Sequence, residues 1–190
     1  QEWKAFLENH LGELAAFDFF TVPTIFFRVL HVLIILDHER RRIIHFNVTM
    51  NPTSAWVVQQ IREAFPWDSA PRYLIHENDP LFQGNCRSYL SAMGVTPVKT
   101  AKASPWQNAY CERAIGTIRR DLLDRVIVLN ERHLKSLLSD YLGYYHNSRT
   151  HMGLGKDTPV SRPVQVIGAG PVVSKPIVGG LFHQYRRVPV

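Results

Sequence analysis

Three acidic residues in this 190-residue chain stand where carboxylates can do chemistry. Asp18 interrupts the apolar run 14–22 (LAAFDFFTV), and an ionised carboxylate there loses hydration unless a cation or hydrogen-bond donors meet it. Its plainer role is a strand-end acid that caps a helix or pairs with an arginine. Glu77-Asn78-Asp79 follows directly on the short apolar run 73–75, at the carboxyl end of an expected strand, where α/β sheets carry their sites. Glu112 lies one residue from an apolar helical stripe, and Asn108, Glu112 and Arg119 are spaced to share one helix face. Carboxylates from these three places, drawn to one point, repel one another unless a divalent cation neutralises them. Oxygen-only donors select a hard ion, Mg²⁺ or Mn²⁺, over zinc.

Positioning those acids requires a particular order of elements. Residues 14–22, 25–36 and 41–49 read as three strands, the second nearly continuous in Ile, Phe, Val and Leu. Short polar connections between them predict an antiparallel meander. The period then changes. Asn51-Pro52-Thr53 opens a helix over 55–65, 73–75 is a short strand, 83–93 a helix stopped by Gly94, and 96–99 another strand. This alternation predicts parallel pairing for the later strands. Ser104-Pro105-Trp106-Gln107 fits a capping box for a helix whose stripe is Cys111, Ile115, Ile118 and Leu122. A further helix carries Leu134, Leu138, Tyr141 and Tyr145. From residue 152 onward the chain has 6 Gly and 5 Pro in 39 residues and no period, so 152–190 reads as an extended basic tail. The expected architecture is an α/β layer fold with a mixed sheet, antiparallel on one side and parallel on the other.

Composition narrows the function classes. Hydrophobic residues are 45% and charged residues 20%, which suits a globular domain and not a disordered or fibrous chain. Lys plus Arg number 22 against 16 Asp plus Glu, giving a net charge of +6 that favours an anionic partner, nucleic acid first. Two cysteines make neither a disulfide framework nor a four-ligand zinc site. The most apolar run, 22–36, is broken by Arg28 and His31 and is shorter than the roughly 20 residues a bilayer span needs, and no secretory signal is visible. No Gly-rich phosphate loop is present, which argues against nucleotide hydrolysis.

Order and spacing of the acids resemble the retroviral-integrase-like catalytic core of bacterial insertion-sequence transposases, the acid-triad polynucleotidyl transferases. Asp18 and Glu77 are 59 residues apart, and Glu77 and Glu112 are 35 apart. The stretch Pro105-Trp106-Gln107-Asn108-Ala109-Tyr110-Cys111-Glu112-Arg113 is similar to the family's third-acid motif, and Tyr144-Tyr145-His146-Asn147-Ser148-Arg149-Thr150-His151 resembles its downstream signature. One position departs from the pattern: the family's second acid is Asp, and Asn78 and Phe82 fit its frame only if that acid is Glu77. Either Glu77 takes the role with a longer side chain, or Asp79 takes it over.

The resemblance implies a ribonuclease-H-like mixed five-stranded sheet flanked by helices, with the integrase core over 14–151. Residues 1–13 are then an N-terminal extension, the end of a linker from an upstream DNA-binding domain, and 152–190 the tail. It implies metal-dependent strand transfer on DNA, nicking by water and joining by a 3′-hydroxyl, with Asp18, Glu77 and Glu112 as catalytic metal ligands for two Mg²⁺ or Mn²⁺ ions. Asn108, Arg113, Arg119 and Arg149 are the expected DNA contacts. The implied partners are transposon-end and target DNA and at least one further copy of the chain, with no membrane and no nucleotide cofactor. The implied location is the bacterial cytoplasm at the nucleoid. An impaired copy that only binds DNA or supports assembly is the rival reading, and a ribonuclease acting on hybrids is permitted by the fold alone.

Overall fold

The computed structural model describes residues 2–66, 69–82, 84–168 and 170–188. They divide into two compact units, Gln1–Glu131 and Arg132–Val190.

The first unit is built on a five-stranded sheet of order β3-β2-β1-β4-β5. The strands are β1 (Leu14–Pro23), β2 (Val29–Asp37), β3 (Ile43–Thr49), β4 (Tyr73–His76) and β5 (Thr96–Lys99). The pairs β1–β2 and β2–β3 are antiparallel, β1–β4 and β4–β5 parallel, as expected from the sequence. The second strand starts later than its apolar run suggests. Ile25, Phe26 and Phe27 form the reversal between β1 and β2 and are 47%, 75% and 92% exposed. Thr24 closes that turn: its N–H donates to Arg28 O (2.8 Å), its Oγ1 accepts from Arg28 N–H (3.1 Å), and Phe27 takes a positive φ of 58°.

Alternation along β1 sends its two faces to different helices. Ala15 and Phe17 join Leu33, Ile35 and Leu74 in a buried cluster with Val57 and Ile61 of α2 (Ser54–Ala64) and Leu90 of α3 (Asn85–Ala92). Thr53 starts α2 by accepting Trp56 N–H on its Oγ1 (3.1 Å). The opposite face of β1 and β2 meets α4 (Ala109–Asp121), whose Cys111, Ile115 and Ile118 are buried. A short helix, α1 (Trp3–Asn9), places Phe6 edge-on to Tyr73 at a centroid distance of 5.3 Å.

Entry to α4 differs from the expected capping box. Residues Pro105–Asn108 form a 3-10 turn, and the Ser104 side chain makes no capping bond. The Gln107 carboxamide oxygen reaches back instead to Ala101 N–H (2.6 Å). In the second unit, α5 (Glu131–Asn147) buries Leu134, Leu138, Tyr141 and Tyr145, and β6 (Val172–Ile177) pairs antiparallel with β7 (Phe182–Arg187). The segment expected to be extended therefore contains a hairpin, turned at Gly179 and Gly180, both with positive φ. No helix among the described residues is long and apolar enough to cross a membrane.

Candidate functional site

Strand register brings the first two acids to the same level. Ala16 of β1 pairs with Ile75 of β4, so two residues further along each chain Asp18 and Glu77 leave the ladder side by side. Residues 16, 18 and 20 share the face of β1 opposite Phe17 and Phe19, the face covered by α4. Glu112 sits in the first turn of α4, where the helix dipole favours a negative charge. One carboxylate oxygen from each of Asp18, Glu77 and Glu112 lies within 4.8 Å of the other two. Asp18 is buried at 8% exposure while Glu77 and Glu112 are exposed, so the cluster has a closed floor and an open mouth.

Electrostatics follow from that placement. Burial first, and then the charges of Glu77, Glu112 and Asp79, push the Asp18 carboxyl up to about 7 from its usual 3.8. The Phe19 N–H, donating to Asp18 Oδ1 at 2.8 Å, opposes the rise. Cys111, fully buried on α4, has its thiol raised well above the ordinary range by burial and by Asp18, Glu112 and Glu77, which favours the protonated thiol in the folded chain. The donor set is all oxygen, the net charge strongly negative and one ligand desolvated, a combination that fits a hard divalent cation.

The two candidates for the second acid are placed differently. Glu77 joins the cluster. Asp79 turns its Oδ1 to Leu81 N–H (2.8 Å), and its carbonyl accepts Phe82 N–H (3.0 Å), capping the 3-10 turn Pro80–Phe82. His76, which the sequence reading passed over, holds the loop's base. Its Nδ1 lies 2.7 Å from Glu77 O, and its ring stacks on Phe82 (4.5 Å), which stacks on Phe17 (3.8 Å). The signal was present in the sequence as a histidine adjoining the acid and an aromatic five residues past it.

The expected DNA contacts are placed unequally. Asn108 is wholly buried, its Nδ2 donating to Phe17 O at 3.3 Å, so it ties α4 to β1 and presents no surface to DNA. It does not share Glu112's exposed setting, because it belongs to the turn preceding α4. Arg119 is half-buried, donating to Thr21 O (3.2 Å) with its guanidinium 5.4 Å from the Phe20 ring centre. Arg113 is exposed on α4. Arg149 is half-buried in the second unit, just past α5, its N–H donating to Tyr144 O.

A parallel-antiparallel sheet of this order, with acids converging from β1, the end of β4 and a following helix, defines a ribonuclease-H-like core. Known proteins agree. Residues 93–159 match the family described as Integrase core domain. The chain is 23% identical over 133 residues to the insertion element IS476 uncharacterized 39.2 kDa protein of Xanthomonas euvesicatoria, an alignment covering 70% of this chain and 38% of that protein. It therefore spans about two fifths of that relative's length. The fold matches the HTLV-2 integrase catalytic core domain solved in complex with magnesium (TM-score 0.60, 12% identity, 79% of this chain and 94% of that one). It also matches the simian T-cell lymphotropic virus intasome solved with PP2A regulatory subunit B56 gamma (TM-score 0.62, 10% identity, 94% and 67%). The chain thus resembles integrase cores in a family match over 93–159, in one insertion-element relative and in fold.

Proposed function

We propose that this chain is the catalytic core of a DNA transposase, a metal-dependent polynucleotidyl transferase that nicks DNA and joins it through a 3′-hydroxyl. The observation that carries this reading is the convergence of Asp18, Glu77 and Glu112 within 4.8 Å on a ribonuclease-H-like sheet. Asp18, Glu77 and Glu112 would together hold the divalent ions, Asp18 from the buried floor of the cluster and the two glutamates from its exposed rim. Bound Mg²⁺ or Mn²⁺ would supply Lewis-acid activation of a water or 3′-hydroxyl and stabilise the leaving oxygen. The chain's own residues fix where that happens: β1 and β4 set the height of two carboxylates, the His76–Phe82–Phe17 stack holds the Glu77 loop, and Asn108 seats the start of α4 beneath Glu112. In the same reading the core spans 14–151, with 1–13 and 152–190 flanking it. The DNA partners are element ends and target, engaged by at least two copies in the bacterial nucleoid. The magnesium in the HTLV-2 core and the insertion-element relative support it.

Thermal melting against Mg²⁺ and Mn²⁺ tests the metal site first. Ligand at a hundredfold excess over Kd stabilises the fold by about 2.7 kcal/mol, and Asp18→Asn is expected to abolish that rise. Absence of any rise in the parent chain, with a cooperative melt, sinks the catalytic reading. The second reading, an impaired copy, is favoured by Glu77 itself. Its extra methylene alters ligand placement, and misplacement by about 1 Å can cost on the order of 10²-fold in rate. A large gain in DNA nicking on Glu77→Asp identifies impairment; measurable nicking by the parent that is unchanged or lower in the variant identifies Glu77 as the fitted ligand.

A further inference from the structure

A second concave surface lies wholly within residues 147–187, away in sequence from the three acids. It is an open cleft of about 870 Å³. Lys156, Arg162 and Arg186, all exposed, line it, and none of the three is ion-paired among the described residues. Arg187 adds a fourth cation, and Asp157 is the sole acid among the described residues that line it. The walls are built rather than loose. Arg187 N–H donates to Gln165 Oε1 (2.8 Å), its guanidinium to Gly170 O (3.0 Å), and Val188 N–H to Pro171 O (3.0 Å), holding Gln165, Gly170 and Pro171 against the end of β7. His151 and Asp157 form an isolated bridge that shapes the turn carrying Lys156. Tyr185 projects from β7 into the same cleft and is 62% exposed, its ring 6.3 Å from that of His183.

Four cations against one acid call for a polyanion. Guanidinium forks match phosphate oxygens two at a time, and a bare aromatic face beside them suits an unstacked base. We propose that this cleft binds the sugar–phosphate backbone of a single strand of nucleic acid, with Lys156, Arg162 and Arg186 on phosphates and Tyr185 stacking on a base. A duplex is a stiff cylinder with its phosphates outside and its bases already stacked, so it lies across such a cleft without filling it. An acidic peptide would satisfy the cations and leave Tyr185 uncovered. The site uses none of the three clustered acids, so it stands or falls separately from the metal-dependent reaction.

Fluorescence anisotropy of a labelled twelve-residue oligothymidylate tests it. The full chain carries Asp18→Asn and is kept in EDTA, so that the acid cluster contributes no metal-dependent binding. Tyr185→Ala is expected to weaken binding about tenfold. Arg162→Ala with Arg186→Ala should lower the slope of log K against log salt by about 1.4, two single-strand phosphate contacts. All three side chains are exposed, so the variants should melt as the parent does; Arg162→Gln with Arg186→Gln repeats the test if alanine perturbs the loop. Tighter binding of a duplex of equal length, or affinity and slope unchanged in the variants, overturns the proposal. Competition by polyglutamate at equal charge, with Tyr185→Ala silent, overturns it in favour of an acidic peptide.

Discussion

Asp18 and His38 are two buried groups whose protonation in the folded chain departs from that of the ordinary side chain, and they act in opposite directions. The folded chain holds the Asp18 proton more tightly than an unfolded one, with a pKa of about 7 against 3.8. Its contribution is thus fully present below about pH 4 and lost as pH rises through about 7. A separation of about three pH units is worth on the order of 4 kcal/mol. His38 is 2% exposed, with neither ring nitrogen hydrogen-bonded, edge-on to Tyr110 at 4.8 Å. Burial, and secondarily the charge of Arg41, hold its pKa down near 4 from 6.5. The unfolded chain therefore takes the proton first, and this penalty, absent above about pH 6.5, grows as pH falls toward 4. The two slopes oppose between pH 4 and 6.5, and Asp18 alone acts from there to neutrality. Melting in EDTA should show Asp18→Asn several degrees more stable than the parent at pH 8, with the gap closing toward pH 4. Equal stability at pH 8 would mean that Asp18 carries no burden of charge without metal.

At the scale of elements, the site depends on α4 being fixed to β1 at two levels, Asn108 on Phe17 O and Arg119 on Thr21 O. Asn108→Ala removes a buried donor and strands the Phe17 carbonyl. It should destabilise the chain by about 1–3 kcal/mol and blunt the metal-induced rise in melting temperature, because Glu112 lies one helical turn further on. Loss of stability with the full metal response retained would show that Glu112 is positioned by the rest of α4. Much of this arrangement was legible in the sequence, because burial of one face leaves a periodic trace: β1, β5 and the stripe Cys111, Ile115, Ile118 fell where expected. Asn108 was misread because helical spacing cannot show that the chain before α4 follows a 3-10 turn. Ile25–Phe27 was read as strand because apolarity marks burial in general, and here three apolar residues make an exposed reversal. The β6–β7 hairpin left no periodic trace for a related reason: β6 is exposed along almost its whole length, so no face had to be apolar. Its one readable sign was Gly179-Gly180 between two short runs of strand-forming residues.

Over the whole molecule, charge is sorted by role. The chain is net positive by six, yet its three clustered acids make a local negative site in the first unit, while the basic cleft belongs to the second. Association with DNA and chemistry on it should then separate experimentally. Chelation with EDTA is expected to abolish nicking while leaving duplex binding in place, since that binding draws on Lys and Arg and on counterion release. Asp18→Asn, by deleting a negative charge, should bind duplex DNA at least as tightly as the parent while being inactive. Each phosphate neutralised on a duplex adds about 0.9 to the slope of log K against log salt, so the slope counts the contacts made by the whole basic surface. A slope that collapses on chelation would overturn the separation: DNA would then be held chiefly through metal at the acids, with the net positive charge of the chain a property of solvated surface. A slope unchanged by EDTA, with nicking lost, assigns binding to the cations and chemistry to Asp18, Glu77 and Glu112.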